Sequence, residues 1–161
     1  MLTIREALPS DADPIWEMLK PVIRSGETYP FPMDTDKKSA LDFWMNDDKK
    51  TYIAEENGEP LGTYYLKPNH IGAASHVCNC GYLTSEQARG RGVASQMCQH
   101  SLQKGRELGF RAMQYNLVVS TNEVAVALWQ RQGFEIVGTL PKAFNHPKHG
   151  DVDAFVMYQF L

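Results

Sequence analysis

The stretch Tyr82-Leu83-Thr84-Ser85-Glu86-Gln87-Ala88-Arg89-Gly90-Arg91-Gly92-Val93-Ala94-Ser95 decides how this chain is read. Its first residues close a run from Ser75 to Thr84 that reads as a strand. A polar link, residues 85–88, follows. Gly92 to Leu108 then reads as a helix, with Val93, Met97, Leu102 and Leu108 as inward positions. The start of a helix presents N–H groups without internal partners and the positive end of the helix dipole, so it suits an anion. Glycine lets the backbone approach phosphate oxygens, and arginine adds charge and forked donors. The turn therefore reads as a phosphate site. It is no P-loop, because G-x-x-x-x-G-K-S/T is absent, and its glycine spacing is not that of a dinucleotide-binding fold. A helix start merely softened by glycine would carry the same two residues without a ligand.

Upstream of the turn, Leu2 to Ala7 reads as a first strand. A helix capped by Ser10 or Asp11 follows, with Ile15, Trp16, Leu19, Val22 and Ile23 on one face and Pro21 bending or shortening it. Ser25 to Pro32 holds two prolines and two aromatics, so it is an irregular loop. Its Glu27 and Tyr29 either wall a binding site or cap the core. A second helix, Asp36 to Asn46, precedes two strands, Thr51 to Glu55 and Leu61 to Leu66, joined by the hairpin signal Asn57-Gly58. Downstream come a strand at Met113 to Val119 and a helix at Asn122 to Gln132 stopped by Gly133. Closing strands follow at Phe134 to Leu140 and Val152 to Phe160, around a polar loop, Pro141 to Asp151. The order is β-α-α-β-β-β-α-β-α-β-β, a mixed α/β fold in one domain, 1–161.

Composition narrows the partners. A net charge of -3 gives no overall field for nucleic acid. No apolar run reaches membrane-spanning length and the first residues lack a signal-peptide core, which predicts a cytoplasmic protein. Cys78, Cys80 and Cys98 have no zinc spacing and read as reduced thiols. His146 and His149 read as residues of a solvated loop, and no metal is expected.

Two elements together carry a family resemblance. Arg89-x-x-Gly92-x-Ala94 is similar to the R/Q-x-x-G-x-G/A signature of the GNAT acetyltransferases. Asn122 to Phe134 resembles their later element, N-x-x-A-x-x-L-Y/W-x-x-x-G-F. The resemblance spans nearly the whole chain. It implies acetyl-CoA as co-substrate, with the pyrophosphate on Arg89, Gly90, Arg91, Gly92, Val93, Ala94 and Ser95. The backbone of Tyr82, Leu83 and Thr84 would bond the pantetheine arm, with Asn122 beside it. It also implies a splay between the strands at 75–84 and 113–119, where the thioester sits. Dimers are common among such relatives, which makes a homodimer the expected assembly.

The expected acid and base are missing. Many relatives place a tyrosine acid where this chain has Trp129, and an indole N–H cannot protonate a thiolate. The proton then comes through water, or from Tyr115, Tyr82 or Tyr158, none favoured by spacing. Where relatives carry a carboxylate base, this chain has Asn79. Asn116 lies on the facing strand, and asparagine is uncommon inside strands. Either Asn79 and Asn116 hold the substrate amine and the thioester oxygen, or they satisfy backbone groups at the splay. These asparagines, together with Pro21 to Tyr29 and the ending Gly138 to Ala154, are similar to the subgroup acetylating azetidine-2-carboxylate and proline analogues. That resemblance implies a small amino or imino acid acceptor held at Asn79, and Glu27 and Tyr29 either line its pocket or pack the loop. Acetylation of a protein N-terminus or lysine, or a non-catalytic coenzyme A sensor, are the other readings.

Overall fold

The computed structural model describes residues 1–161. Its elements are β1 (Thr3–Glu6), α1 (Ala12–Ser25), α2 (Lys37–Trp44), β2 (Lys50–Glu56), β3 (Glu59–Pro68), β4 (Val77–Thr84), α3 (Val93–Glu107), β5 (Ala112–Val119), α4 (Glu123–Arg131), β6 (Glu135–His146) and β7 (Gly150–Phe160). The order is the one the sequence predicts. Asn57 and Gly58 both take positive φ, 53° and 79°, as a two-residue hairpin turn requires.

The strands form one sheet in the order β1-β2-β3-β4-β5-β7-β6. Every neighbouring pair is antiparallel except β4 and β5. Strand side chains alternate between faces, so the sheet builds two cores. On one face Ile15, Leu19 and Ile23 of α1 and Trp44 of α2 pack on Ile53, Tyr65 and Leu83. On the other, Val93, Met97 and Leu102 of α3 and Trp129 of α4 pack on Tyr64, Cys80, Met113 and Tyr115. No helix is long and apolar enough to cross a membrane.

Arg5 ties the first strand to the sheet and to the start of α1. Its guanidinium donates to both carboxylate oxygens of Asp11 (2.8 and 3.0 Å) and to both of Glu55 (3.1 and 3.0 Å). The Leu8 N–H also donates to Asp11, at 2.6 Å. These bonds, the Arg5 guanidinium foremost, hold the Asp11 carboxyl below the usual carboxylate range.

Four expectations need correction. The polar loop expected over Pro141 to Asp151 is mostly strand. β6 runs to His146 and pairs with β7 through Phe144↔Val152, Asn145↔Asp151 and His146↔Gly150, leaving only residues 147–149 as a turn. Proline is admissible because β6 is the sheet's edge, and a register shift falls between Leu140 and Phe144. His146, the last residue of β6, is buried rather than solvated. It stacks on His149 at 4.6 Å, and its Nδ1 accepts the Lys148 N–H. Finally, Leu108 does not point inward: it caps the end of α3 and is 44% exposed. Pro21 does not shorten α1, which continues to Ser25 and ends at Gly26 in the left-handed region.

Candidate active site

β4 and β5 pair only through Val77↔Ala112 and Cys78↔Met113, then diverge. Register decides what this exposes. Asn69 N–H bonds Val77 C=O and Ser85 N–H bonds Leu61 C=O, so odd-numbered residues of β4 face β3. The backbone groups of Cys80, Tyr82 and Thr84 therefore point the other way, into the gap. A cavity of about 580 Å³ fills that gap, within the range of small-molecule sites. Its walls are β4 from Asn79 to Thr84, β5 from Tyr115 to Val118, and Asn122, Ala125 and Trp129 of α4. At its other end stand Thr28 to Phe31, Phe43, Tyr65, Lys67 and Asn69.

At the expected phosphate turn, Gly90 and Gly92 take φ of 74° and 72°, with no atom within 4 Å of where a Cβ would stand. The glycines are thus required by left-handed backbone, and the space beside them is open. α3 begins at Val93, so the N–H groups of Val93, Ala94 and Ser95 form its open first turn. Arg89 is exposed and forms no ion pair, whereas Arg91 is engaged with Glu56. The Ser95 hydroxyl accepts from Gln132 at 2.7 Å, joining the start of α3 to the end of α4. Asn122 caps α4 by accepting the Ala125 N–H, and it lines the cavity with Ala125 and Trp129, one helical face.

Beneath the gap lies a hydroxyl cluster. Tyr82 Oη meets Ser101 Oγ at 2.6 Å and Tyr115 Oη at 2.9 Å. The Trp129 ring packs 4.8 Å from Tyr82 and 5.1 Å from Tyr115. Burial pushes both phenols well above their ordinary values, so they hold their protons. It also raises the three thiols, Cys98 to about 11, which disqualifies them as nucleophiles.

Asn79 and Asn116 both line the cavity, but they make no hydrogen bond to each other. Asn79 is 7% exposed and its Nδ2 donates to Gln114 C=O at 2.8 Å, across the first step of the splay. Asn116 is exposed, donates to Asn69 Oδ1 at 2.7 Å and accepts from Gln114 Nε2 at 3.0 Å. Tyr29 reaches the open edge of β4: its hydroxyl accepts the Tyr82 N–H at 2.8 Å and donates to the Tyr82 C=O at 3.0 Å. Glu27 is not brought to the cavity wall. It pairs with Lys148 at 2.6 Å, which holds its carboxyl low.

A strand-turn-helix unit beside a splayed parallel pair has counterparts among known proteins. The Acetyltransferase (GNAT) family model matches residues 14–134. The chain belongs to the GNAT acetyltransferase family. Over 155 residues this GNAT protein is 30% identical to N-acetyltransferase aca1 of Schizosaccharomyces pombe, covering 86% of the chain and 74% of that protein. It matches a GCN5-related N-acetyltransferase from Kribbella flavida with a TM-score of 0.95 and 37% identity, over 99% and 98% of the two chains. A phosphinothricin acetyltransferase of Sinorhizobium meliloti, solved with acetyl-CoA, shares the fold, with a TM-score of 0.86, 21% identity and coverage of 99% and 88%. The protein is an acetyl-CoA-dependent N-acetyltransferase.

Sequence reasoning missed one residue of this GNAT site above all. Lys67 is the single charged side chain in the cavity wall. It forms no ion pair, and Asp48, which feels its charge, is bonded instead to Lys49 at 2.6 Å. Its ammonium stands 5.8 Å from the Phe43 ring centre. Nothing local distinguishes it from any lysine at the end of a strand. Only the facing of β3 toward the cavity makes it notable.

Proposed function

We propose that this N-acetyltransferase moves the acetyl group of acetyl-CoA to the amine of a small acceptor that also carries an acid group, an amino or imino acid or an analogue of one. The observation that carries the reading is the cavity's charge. Twenty-two residues line it, and the one ionised group among them is the Lys67 ammonium. A polyamine or a lysine side chain would meet no carboxylate there, whereas an acceptor's carboxylate would meet Lys67 beside the amides of Asn69, Asn79 and Asn116. The resemblance to the azetidine-2-carboxylate and proline-analogue subgroup points the same way.

On this reading, the turn from Arg89 to Ser95 receives the pyrophosphate, and the open backbone of β4 at Tyr82 to Thr84 receives the pantetheine arm beside Asn122. The acceptor enters from the Lys67 end. Its neutral nitrogen bonds to the thioester carbon, the C–S bond breaks and the thiolate leaves. The proton released by nitrogen returns to the thiolate through water, since Trp129 has no acidic hydrogen to give. Asn79 and Asn116 orient the amine, through the amide oxygen that Asn79 does not use in its bond to Gln114.

A thiol-release assay with acetyl-CoA and a panel of amines tests the proposal. Azetidine-2-carboxylate and proline should be acetylated in preference to their methyl esters, to polyamines and to lysine peptides. Preference for polyamines or peptides would overturn the acceptor class. Cofactor binding without thiol release on any amine would leave the sensor as the better account.

A further inference from the structure

The Tyr82 N–H and C=O lie on the edge of β4 that β5 abandons, and the hydroxyl of Tyr29 engages both. A hydroxyl oxygen accepting a backbone N–H stands as a carbonyl oxygen would stand. We infer that Tyr29 is a further catalytic residue of the transfer: it occupies the oxygen site of the thioester in the free enzyme and becomes a donor to that oxygen in the reaction. This rests on the acetyl-transfer reading above and adds to it the residue that compensates for a site without an acid or a charged donor on its reacting edge.

Three observations support the inference. Cys80, Tyr82 and Thr84 face the gap, and Tyr82 has both of its backbone groups answered by one side chain from a distant loop. A buried N–H needs an acceptor, so the site is kept satisfied until an acyl oxygen arrives. The loop that delivers Tyr29 is also held in place. Arg24 donates to the carbonyls of Met33 (2.7 Å) and Thr35 (2.8 Å), Gly26 fits against Met33, and the Tyr29 ring packs edge-on to Trp44 at 5.9 Å. Finally, burial raises the Tyr29 phenol far above its ordinary value, so it keeps the proton it must donate.

When acetyl-CoA enters, the thioester oxygen takes the Tyr82 N–H from Tyr29. The Tyr29 O–H stays on the Tyr82 C=O until attack, and turns onto that oxygen only as charge develops there. As the amine nitrogen bonds to carbon, the C=O electron pair moves onto oxygen and both donors shorten onto it. When the C–S bond breaks the pair returns, and the Tyr29 proton never leaves its oxygen.

The test is Tyr29→Phe, read for binding and turnover together. The variant removes a competitor for the Tyr82 N–H and also a transition-state donor. Acetyl-CoA affinity should rise severalfold relative to CoA affinity, while kcat falls about 100-fold, the usual effect of losing one oxyanion donor. A packing role would weaken both. An unchanged ratio of acetyl-CoA to CoA affinity, or a kcat within about threefold of the parent, overturns the inference. The binding arm stands even if no amine is acetylated, which separates this failure from that of the acceptor reading. If the variant unfolds, fluorine NMR of the intact protein with fluorotyrosine at position 29 decides: its signal should shift with acetyl-CoA and stay in place with CoA. An identical response to both ligands overturns the inference.

Discussion

Replacing Lys67 by methionine removes the cavity's one charge and keeps a stem that packs near Phe43. At about 4 Å, a pair of unit charges in a medium of effective dielectric about 20 interacts by about 4 kcal/mol, an upper bound. Lys67 is half-buried, so solvent and salt reach it. A hydrogen bond to a charged partner, about 1.5–3 kcal/mol, is the fairer measure. At about 1.4 kcal/mol per factor of ten, K67M should raise KM for an acid-bearing acceptor about 10- to 100-fold. KM for its methyl ester and for acetyl-CoA should stay unchanged. The assay is thiol release with each acceptor as acid and as ester, at low and physiological salt. In the parent, KM for the acid should rise with salt, and in the variant that dependence should vanish. Equal effects on acid and ester would show that Lys67 shapes the wall without reading charge, and the acceptor proposal would be wrong.

Other outcomes follow from the same geometry. Gly92→Ala forces a Cβ onto a residue at φ 72° and should raise KM for acetyl-CoA tenfold or more with little change in acceptor KM; steady-state kinetics with each substrate varied checks this. Asn79→Ala strands the Gln114 carbonyl and removes the proposed amine contact, so kcat should fall while acetyl-CoA affinity holds, whereas exposed Asn116→Ala should change acceptor KM more than stability; calorimetric binding and melting temperatures separate the two. Asp11→Asn should cost about 2 kcal/mol in urea unfolding, the scale of hydrogen bonds to a charged group. Asp11 is lowered when folded, so its contribution is complete above its unfolded pKa of about 4 and is lost as pH falls through the folded value. The parent's stability should therefore drop below about pH 4 more steeply than that of the variant.

The backbone of the turn at 89–95 and the bounds of α4 were legible because their signals are local. Gly90 and Gly92 mark left-handed backbone, and Asn122 and Gly133 bracket a helix whose inner face recurs every three to four residues. The β6–β7 hairpin was not legible. Pro141, Pro147 and Gly150 read as breakers, and only the edge position of β6 makes a strand with proline acceptable. Arg91 looked like a phosphate ligand, yet Glu56, thirty-five residues earlier, engages it. Lys67 and the bond from Tyr29 to Tyr82 depend on facing and on contacts across fifty-three residues, which no pattern along the chain encodes. The geometry at Lys67 and Tyr29 is tertiary, whereas the backbone of the turn at Gly90 and Gly92 is written in the sequence.

The central claim is that transfer occurs in the gap between β4 and β5. A crystal structure of the complex with acetyl-CoA tests it most directly. The account predicts pyrophosphate on the amides of Val93 to Ser95, the arm along Tyr82 to Thr84, and the thioester oxygen on the Tyr82 N–H. An arm bound elsewhere, or a thioester with no approach from the Lys67 end of the cavity, would contradict it.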